Sequence, residues 1–354
     1  MPHCFQKIAL FGRLYGSIAW LRRKFYQKGI CSIYHSESFH VIGIGNLRVG
    51  GTGKTPHTEF LLKHLTADFR LATLSRGYGR KSKGFLCASL LTEENRTAAT
   101  LGDEPLQMFR KFPEVSVCVC EKRQSGLERL AGFPNPPQVV LLDDNYQHLQ
   151  VRPDCQLLLT EYARPYFDDM PVPEGRLREF PAAATAADII VVTKCPPGLT
   201  AAEAELFVQK LNPTPQQDVF FSTFSYSVPH AETAPANSTT LTENTPVALI
   251  TGIANPTPLL QHLQKHHQHV TLYKFRDHHD FSISELENIF EKEKKKAPDC
   301  VFFSTEKDIS RLQTNNTKKI VSLQPFFSIP IEVKILFGKE NQLITKIKSY
   351  VTED

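Results

Sequence analysis

Short apolar runs, almost uninterrupted by polar residues, recur along this sequence and constrain its fold more than any other feature. Strands buried on both faces of a parallel sheet have this composition, whereas strands with one solvent-exposed face alternate apolar and polar residues. Helical or polar segments separate the runs, so the order of elements predicts an α/β fold: a mostly parallel sheet flanked by helices. The runs are RLATLS (70–75), VSVCVC (115–120), QVVLLDD (138–144), CQLLLT (155–160) and DIIVVTK (188–194).

The composition changes at 196–246, where Pro, Thr, Asn and Ser become frequent. A second series of strand-like and helical segments follows, which predicts a second, smaller α/β domain joined by a β hinge. The strand-like run at 329–336 would return beside the run at 218–227. We therefore expect five parts: a basic N-terminal helix (1–30), a larger α/β domain (31–217), a hinge (218–246), a smaller α/β domain (247–328), and a return strand with a C-terminal helix (329–354).

A glycine-rich loop lies between a predicted strand at 39–45 and a predicted helix at about 55–66. Glycines let backbone N–H groups turn toward phosphate oxygens, and the helix N-terminus adds the positive end of its dipole. A lysine here can reach the β- and γ-phosphates of a nucleotide, and a following Thr hydroxyl can ligate Mg²⁺. The loop departs from the usual pattern at Arg48, where the first glycine would stand. The sequence therefore predicts a variant P-loop made of Gly50, Gly51, Thr52, Gly53, Lys54 and Thr55. With this loop the larger domain (31–217) is a P-loop domain, and its sheet is of the P-loop NTPase type.

Two carboxylates, Asp143 and Asp144, follow the apolar run at 139–142. In P-loop proteins a carboxylate at the end of such a strand holds Mg²⁺, directly or through water. We expect Asp143 and Asp144 to bind the metal together with Thr55, and the pattern leaves open which aspartate contacts it directly. Thr193 and Lys194 also follow a buried strand, but Pro196 stands where a guanine-reading loop would have Asp.

The N-terminal segment combines positive charge with a helical apolar stripe. Residues 1–30 hold six Lys/Arg and no Asp or Glu, so the excess charge of the whole chain, +4, lies there. Such a helix can lie in a membrane interface with its cations on anionic headgroups, or it can pack on the protein's own core; the residues alone favour neither. The stripe consists of Phe11, Leu14, Ile18, Leu21 and Phe25.

Charge and cysteine patterns exclude other classes of protein. Beyond residue 30 the chain is slightly acidic, which argues against a surface that coats nucleic acid. The eight cysteines include no CxxC pair, which predicts buried thiols in a reducing compartment. No apolar stretch reaches the roughly 20 residues of a spanning helix. We therefore expect a peripheral or monotopic protein with no nucleic-acid partner and no obligate protein partner.

Eight ordered blocks make the chain similar to a known family. It resembles the tetraacyldisaccharide 4′-kinases, the P-loop kinases of lipid A synthesis. Two loop positions depart from the family pattern: Arg48, where a small hydroxyl residue is usual, and Asn145, where glycine is usual. The blocks are GNLRVGGTGKTP (45–56), LSRGYGRK (74–81), GDEP (102–105), DDNYQH (143–148), LRE (177–179), TGIANP (251–256), FRDHHDF (275–281) and TEKD (305–308).

The resemblance implies a reaction and assigns residues to it. The family transfers the γ-phosphate of ATP to the 4′-hydroxyl of a tetraacylated glucosamine disaccharide 1-phosphate at the cytoplasmic face of the inner membrane. Asp103 matches the proposed general base, His278 matches the residue that assists it, and Lys54 is counted with them as catalytic. Because His278 lies in the smaller domain, domain closure would complete the site. The matched substrate contacts are Tyr78, Arg123, Gln147, His148, Arg178 and Glu179.

Two other classes of protein share the nucleotide-site motifs. A P-loop switch or ATPase would bind and hydrolyse ATP but would need no lipid. A peripheral membrane-binding module would carry a vestigial P-loop, although intact Lys54, Thr55 and Asp143 argue against it. Transfer of labelled phosphate to a lipid acceptor separates the kinase from both alternatives.

Overall fold

The apolar runs of the sequence form the strands of two sheets in the computed structural model, which describes residues 2–277, 279–314 and 316–352, with side chains from residue 10 onward. Within these residues the larger sheet has nine strands and the smaller sheet has five. The larger sheet contains β1 (His40–Asn46), β2 (Leu71–Ser75), β3 (Leu86–Cys87), β4 (Ser116–Val119), β5 (Val139–Asp143), β6 (Cys155–Glu161), β7 (Ile189–Thr193), β8 (Asp218–Tyr226) and β14 (Ile331–Ile335). The smaller contains β9 (His230–Ala231), β10 (Val247–Thr251), β11 (Val270–Lys274), β12 (Val301–Thr305) and β13 (Phe326–Ile329).

The larger sheet has the order β14-β8-β7-β6-β1-β5-β2-β4-β3. Seven neighbouring strands are parallel, and only the edge strands β14 and β3 run antiparallel to their neighbours. Strand β1 lies between β6 and β5, and Ile44 pairs with Leu157 on one side and with Asp143 on the other. The carboxyl ends of these strands therefore meet at one edge. The predicted mostly parallel α/β fold is confirmed.

Helices cover both faces of each sheet. On the larger sheet α2, α4 and α12 share one apolar core, while α5 and α6 pack on the opposite face. On the smaller sheet α9, α10 and α11 pack on one face, and α7 and α8 pack on the other. The helices are α1 (Pro2–Gln27), α2 (Lys54–Leu65), α3 (Ala98–Leu101), α4 (Asp103–Lys111), α5 (Arg123–Ala131), α6 (Ala201–Leu211), α7 (Ala234–Asn237), α8 (Thr257–His266), α9 (Ile283–Lys296), α10 (Glu306–Leu312), α11 (Lys318–Val321) and α12 (Glu340–Thr352).

The two sheets are connected by two crossings of the chain. The chain leaves the larger sheet after β8, builds the smaller sheet, and returns as β14. Strand β14 pairs antiparallel with β8, from Ile331 opposite Tyr226 to Ile335 opposite Ser222, as the sequence predicts. The smaller sheet has the order β11-β10-β12-β13-β9, parallel except for the edge strand β9.

The predicted apolar stripe of α1 faces away from the rest of the protein. Phe11 is 60% exposed and Ile18 62%, and Leu14, Leu21 and Phe25 are exposed as well. The stripe therefore does not contribute to the core. Packing on the core was one of the two interpretations that the sequence left open. No helix in the described part of the chain is long and apolar enough to cross a bilayer.

Candidate active site

The P-loop joins the end of β1 to the start of α2, at the centre of the larger sheet. Two of its glycines have backbone conformations that other residues rarely adopt, with φ of 121° at Gly50 and 92° at Gly53. A Cβ atom on Gly53 would also lie 2.6 Å from Cζ of Phe224. Backbone freedom and close packing therefore both require glycine at position 53.

Side chains at the ends of two strands form hydrogen bonds with the P-loop. Asn46, the last residue of β1, donates from Nδ2 to Oγ1 of Thr52 at 2.8 Å. Thr193, the last residue of β7, donates its hydroxyl proton to the carbonyl oxygen of Thr52 at 2.9 Å. Lys194 contacts the carbonyl oxygen of Gly51. Thr193 and Lys194 thus support the phosphate loop and do not read a base.

Asp143, the last residue of β5, is 3% exposed and accepts the backbone N–H of Asp144 at 3.0 Å. Burial, and next the charge of Glu104, raise the pKa of Asp143, while Lys54 opposes the shift, and the net result is a pKa of about 7. A cation beside Asp143 would restore the ionised form. Glu104 is the second residue of α4, so this coupling also places the start of α4 near the nucleotide site.

Asp144 forms the centre of a charged network over the P-loop. Both of its oxygens accept from Nη1 of Arg178, at 2.9 and 3.1 Å, and Oδ1 lies 3.5 Å from Nζ of Lys54. Burial alone would raise the pKa of Asp144, but Lys54 and Arg178 lower it below its ordinary value. Arg178 also donates to Gln147 at 3.1 Å, and Gln147 donates to the carbonyl oxygen of Asn46 at 2.9 Å.

The oxygen donors at this edge fit Mg²⁺. No cluster of three or more His, Cys, Asp or Glu side chains that could hold a metal occurs in the described ranges. Mg²⁺ beside nucleotide phosphates commonly takes only one or two protein ligands, all oxygens. Thr55 and Asp143 offer a hydroxyl and a carboxylate without an opposing cation bound to them, whereas Asp144 is already paired with Arg178.

Arg123 and His148 lie next to the carboxylate pair. Arg123 is buried and donates to the carbonyl oxygens of Cys120 (2.8 Å) and Asp143 (3.1 Å), so it holds two strand ends together. Burial lowers the pKa of Arg123 to about 10. Burial, and then the charge of Arg123, lower the pKa of His148 to about 4, so His148 is neutral at physiological pH. A neutral imidazole can donate or accept a hydrogen bond there.

Asp103 begins α4, is 5% exposed and forms an ion pair with Arg311 of α10. At the other end of α4, Lys111 lies 2.8 Å from Glu59 and 3.1 Å from Glu306 of α10. Helix α4 of the larger sheet and α10 of the smaller sheet are therefore joined by charge pairs at both ends. This contact brings Asp103 to the junction of the two sheets.

His278 lies outside the described residues, and its role stays a prediction. The neighbouring His279 lies 3.2 Å from Glu285, and its ring stacks on Phe275 with centroids 4.6 Å apart. His279 is therefore committed to the smaller sheet's own packing.

Asp308 fixes the loop that follows β10, beside His279. Its Oδ2 accepts from the hydroxyls of Thr251 (2.7 Å) and Thr305 (2.8 Å) and from the N–H of Gly252 (3.1 Å). A Cβ on Gly252 would lie 2.9 Å from the carbonyl oxygen of Arg276, so the two loops touch. The sequence left the role of Asp308 open, and its contacts make it a structural anchor of the 251–256 loop.

Two of the predicted substrate contacts have very different surroundings. Tyr78 is 75% exposed on the loop at 76–83. Glu179 is 4% exposed, and both of its oxygens accept from Arg23 of α1, at 2.6 and 2.7 Å. The contact between Glu179 and the N-terminal helix was not predicted.

Sequence reasoning missed several residues that build the site: Asn46, Asp169, Thr193, Lys194 and Arg311. Thr193 and Asn46 carried a usable signal, because each ends a buried parallel strand and such ends meet at one edge. Asp169, which forms an ion pair with Arg48 at 2.9 Å, lies in an irregular segment and carried none. Arg311 lies on a helix of the other sheet, so no local pattern could reveal it.

A parallel sheet with a P-loop at its centre and a paired aspartate at the neighbouring strand end defines a P-loop nucleotide-binding protein. The family model described as tetraacyldisaccharide-1-P 4′-kinase matches residues 6–352. The chain therefore belongs to the tetraacyldisaccharide-1-P 4′-kinase family, as the sequence blocks indicated, and it is a kinase.

Relatives and a solved structure agree with this assignment. The tetraacyldisaccharide 4′-kinase of Bacteroides thetaiotaomicron is 39% identical over 96% of this chain and 92% of its own length. That of Flavobacterium johnsoniae is 39% identical over 97% of this chain and 96% of its own. The crystal structure of the "apo" form of LpxK from Aquifex aeolicus in complex with ATP matches with a TM-score of 0.71 and 26% identity, covering 98% of this chain and 99% of that one.

Proposed function

We propose that this kinase transfers the γ-phosphoryl group of ATP to the 4′-hydroxyl of a tetraacylated glucosamine disaccharide 1-phosphate, a precursor of lipid A. The observation that supports the proposal most is the family match over residues 6–352, together with the position of Asp103 at the start of α4, beside Glu104, whose charge raises the pKa of Asp143. In this proposal a phosphoryl donor at the P-loop and a carboxylate that can accept a hydroxyl proton share one space.

The nucleotide site assigns separate tasks to its residues. The backbone N–H groups of 50–53 cradle the phosphates, and Lys54 neutralises charge on the β- and γ-phosphates. Thr55 and Asp143 hold Mg²⁺, which neutralises developing charge on the transferring group when bound. Asp144 keeps Lys54 and Arg178 in place, because it contacts both.

The acceptor sugar lies between the two sheets. Asp103 takes the proton of the 4′-hydroxyl, and His278 assists it from the smaller sheet. Tyr78, which is 75% exposed on its loop, contacts the disaccharide, and Gln147 and His148 contact it as well. Arg123 acts through the backbone carbonyl group of Asp143, to which it donates. Glu179 acts through helix α1, whose Arg23 it binds.

We also propose that the two sheets are two domains that close on each other. The P-loop domain would extend to about residue 217, the smaller domain from about 247 to 328, and β8 and β14 would form the connection. Closure would bring the 275–281 loop toward Asp103 and exclude water from the phosphoryl transfer.

Helix α1 attaches the enzyme to the cytoplasmic face of the inner membrane, where its lipid acceptor lies. Its five-membered apolar stripe is exposed, and the basic residues around it suit anionic headgroups. The variant Phe11→Ser/Ile18→Ser should bind anionic vesicles more weakly than wild type. Leu206 is 58% exposed on α6, and the control variant Leu206→Ser should bind vesicles as wild type does. Equal vesicle binding by all three proteins would remove the membrane assignment.

The reaction is tested by transfer of labelled γ-phosphate from ATP–Mg²⁺ to a tetraacyldisaccharide 1-phosphate in mixed micelles. We expect label in the lipid with wild type, and its loss with Asp103→Asn and with Lys54→Ala, while both variants keep the wild-type circular dichroism spectrum. Label found only in free phosphate, in equal amounts with wild type and Asp103→Asn, would mean an ATPase instead.

A further inference from the structure

Helix α1 has a second face, which packs closely on the segment 169–180. A Cβ atom on Gly12 would lie 2.8 Å from Cβ of Glu174, and one on Gly16 would lie 2.6 Å from Cζ of Phe180. Small residues on this face therefore let α1 approach the segment, while the apolar stripe points outward. We call residues 169–180 the bridging segment.

Arg23 ties α1 to the end of the bridging segment. Its side chain is buried, with 8% exposure, and it donates to both oxygens of Glu179 at 2.6 and 2.7 Å. It also donates to the carbonyl oxygen of Tyr146 at 3.0 Å, and its guanidinium lies 5.1 Å from the centre of the Tyr146 ring. A bidentate, buried pair of this kind fixes geometry more strongly than a surface ion pair.

The opposite edge of the bridging segment holds the P-loop. The N–H of Val49 donates to the carbonyl oxygen of Arg176 at 2.8 Å, and the N–H of Arg178 donates to that of Leu47 at 2.7 Å. The side chain of Arg48 pairs with Asp169 at 2.9 Å. The backbone that leads into the phosphate loop is therefore paired with the same segment that α1 packs on.

The bridging segment also supplies the charged network of the site. Arg178 precedes Glu179 directly and contacts Asp144, which in turn lies 3.5 Å from Lys54. Any shift of Glu179 thus moves the residue that orients Asp144.

We propose that Arg23 is a positioning residue of the nucleotide site: by holding Glu179 it fixes the bridging segment, and through it the P-loop and Arg178. Helix α1 is then part of the ATP site as well as the membrane attachment. The inference rests on the proposed nucleotide site, but it does not depend on the lipid acceptor or on membrane binding. Losing the Arg23 guanidinium leaves the Glu179 carboxylate buried without its partner, and the segment relaxes to reach water.

The test is the affinity for Mg²⁺–ATP, measured calorimetrically in detergent micelles without lipid. We expect Arg23→Gln and Glu179→Gln each to weaken binding by about 3- to 30-fold, the range of coupling carried by packed networks. The double variant should be no weaker than the worse single variant, because both remove one interaction. Arg13→Gln removes the same charge from an exposed position on α1 and should keep wild-type ATP affinity.

Two further variants make every outcome decisive. Arg23→Lys keeps the charge but loses the bidentate contact, and we expect an intermediate affinity; it replaces Arg23→Gln if the latter does not fold by circular dichroism. Lys54→Ala reports on the nucleotide site itself. Wild-type affinity in folded Arg23→Gln or Arg23→Lys, with binding lost in Lys54→Ala, would overturn the role of Arg23. Wild-type affinity in Lys54→Ala would instead overturn the proposed nucleotide site.

Discussion

His57 makes the stability of this kinase sensitive to mild acid. The side chain lies on α2, fully buried, where Nδ1 donates to the carbonyl oxygen of Gly53 at 2.7 Å and Nε2 accepts from the hydroxyl of Ser222 at 2.9 Å. It therefore joins the P-loop to β8. Burial lowers the pKa of His57 from 6.5 to about 4, so the ring is neutral in the folded protein at neutral pH.

The size of the effect follows from this pKa difference. Because the folded pKa lies below the unfolded one, the unfolded chain binds more protons, and the free energy of unfolding falls as the pH drops from about 6.5 to about 4. The two pKa values differ by about 2.5, which corresponds to a loss of about 3.4 kcal/mol below pH 4 and of about 2 kcal/mol at pH 5.

Urea unfolding followed by far-ultraviolet circular dichroism between pH 7.5 and 4.5 measures this loss. His57→Gln should be less stable than wild type by about 1–2 kcal/mol at pH 7.5, because one buried hydrogen bond is lost. Its disadvantage should shrink toward pH 5, since glutamine cannot be protonated. The control variant His230→Gln changes an exposed histidine and should lose as much stability on acidification as wild type. If His57→Gln loses as much stability on acidification as wild type, the burial argument is wrong.

Three other substitutions test the site and its supports. Gly53→Ala should weaken ATP binding by about 5- to 100-fold, because the added Cβ meets Phe224 and the backbone is strained, as measured by calorimetry. Lys111→Met should lower the free energy of unfolding by about 1–3 kcal/mol at pH 8 and less at pH 5, because burial raises the pKa of Glu59 and Lys111 opposes that shift. Asp308→Ala should cost about 2–4 kcal/mol in urea unfolding, because three donors lose their acceptor.

Two of these substitutions have matched controls. Gly198→Ala adds a methyl group where nothing lies within 4 Å, and should leave stability unchanged within about 0.5 kcal/mol. Lys63→Met breaks an exposed pair with Glu332 and should cost less than about 1 kcal/mol at either pH. A Lys111→Met deficit that is the same at pH 5 and pH 8 would contradict the role given to Glu59. Full stability of Asp308→Ala would show that the 251–256 loop is held by other contacts.

Much of the fold could be predicted because its strands are buried on both faces. The run at 138–144 has no alternation of polar residues, and it forms β5 over Val139–Asp143 in the interior of the larger sheet. The composition of 196–246 suggested a linker or β hinge, and the strand-like run inside it forms β8, which pairs with β14 as expected. The sequence did not predict that β8 also pairs with β7 and so belongs to the larger sheet. Pairing of this kind depends on the neighbouring strand more than on the local sequence.

The candidate site could be predicted where its residues lie in a short motif. Lys54 belongs to a glycine-rich motif between a strand and a helix, and Asp143 ends an apolar run, so both can be recognised from neighbouring residues. The structure brings them to one edge of the larger sheet. Arg23 and Arg311 could not be found in this way, because each acts on a residue more than a hundred positions away. Arg23 belongs to a basic stretch whose cations the sequence placed either on lipid headgroups or in solvent, and only the fold separates it from the exposed cations beside it.

The return of β14 to the larger sheet has a consequence for synthesis on the ribosome. The strand beside β8 and the core helix α12 both come from residues after 330, so the first sheet stays incomplete until nearly the whole chain has emerged. During that interval β8 presents an unpaired edge, which is a site for aggregation. In the gene, the segment that encodes the smaller sheet is inserted within the segment that encodes the larger sheet. Chains truncated after β13 should therefore fail to fold the larger sheet and its P-loop, although they retain every residue of the P-loop.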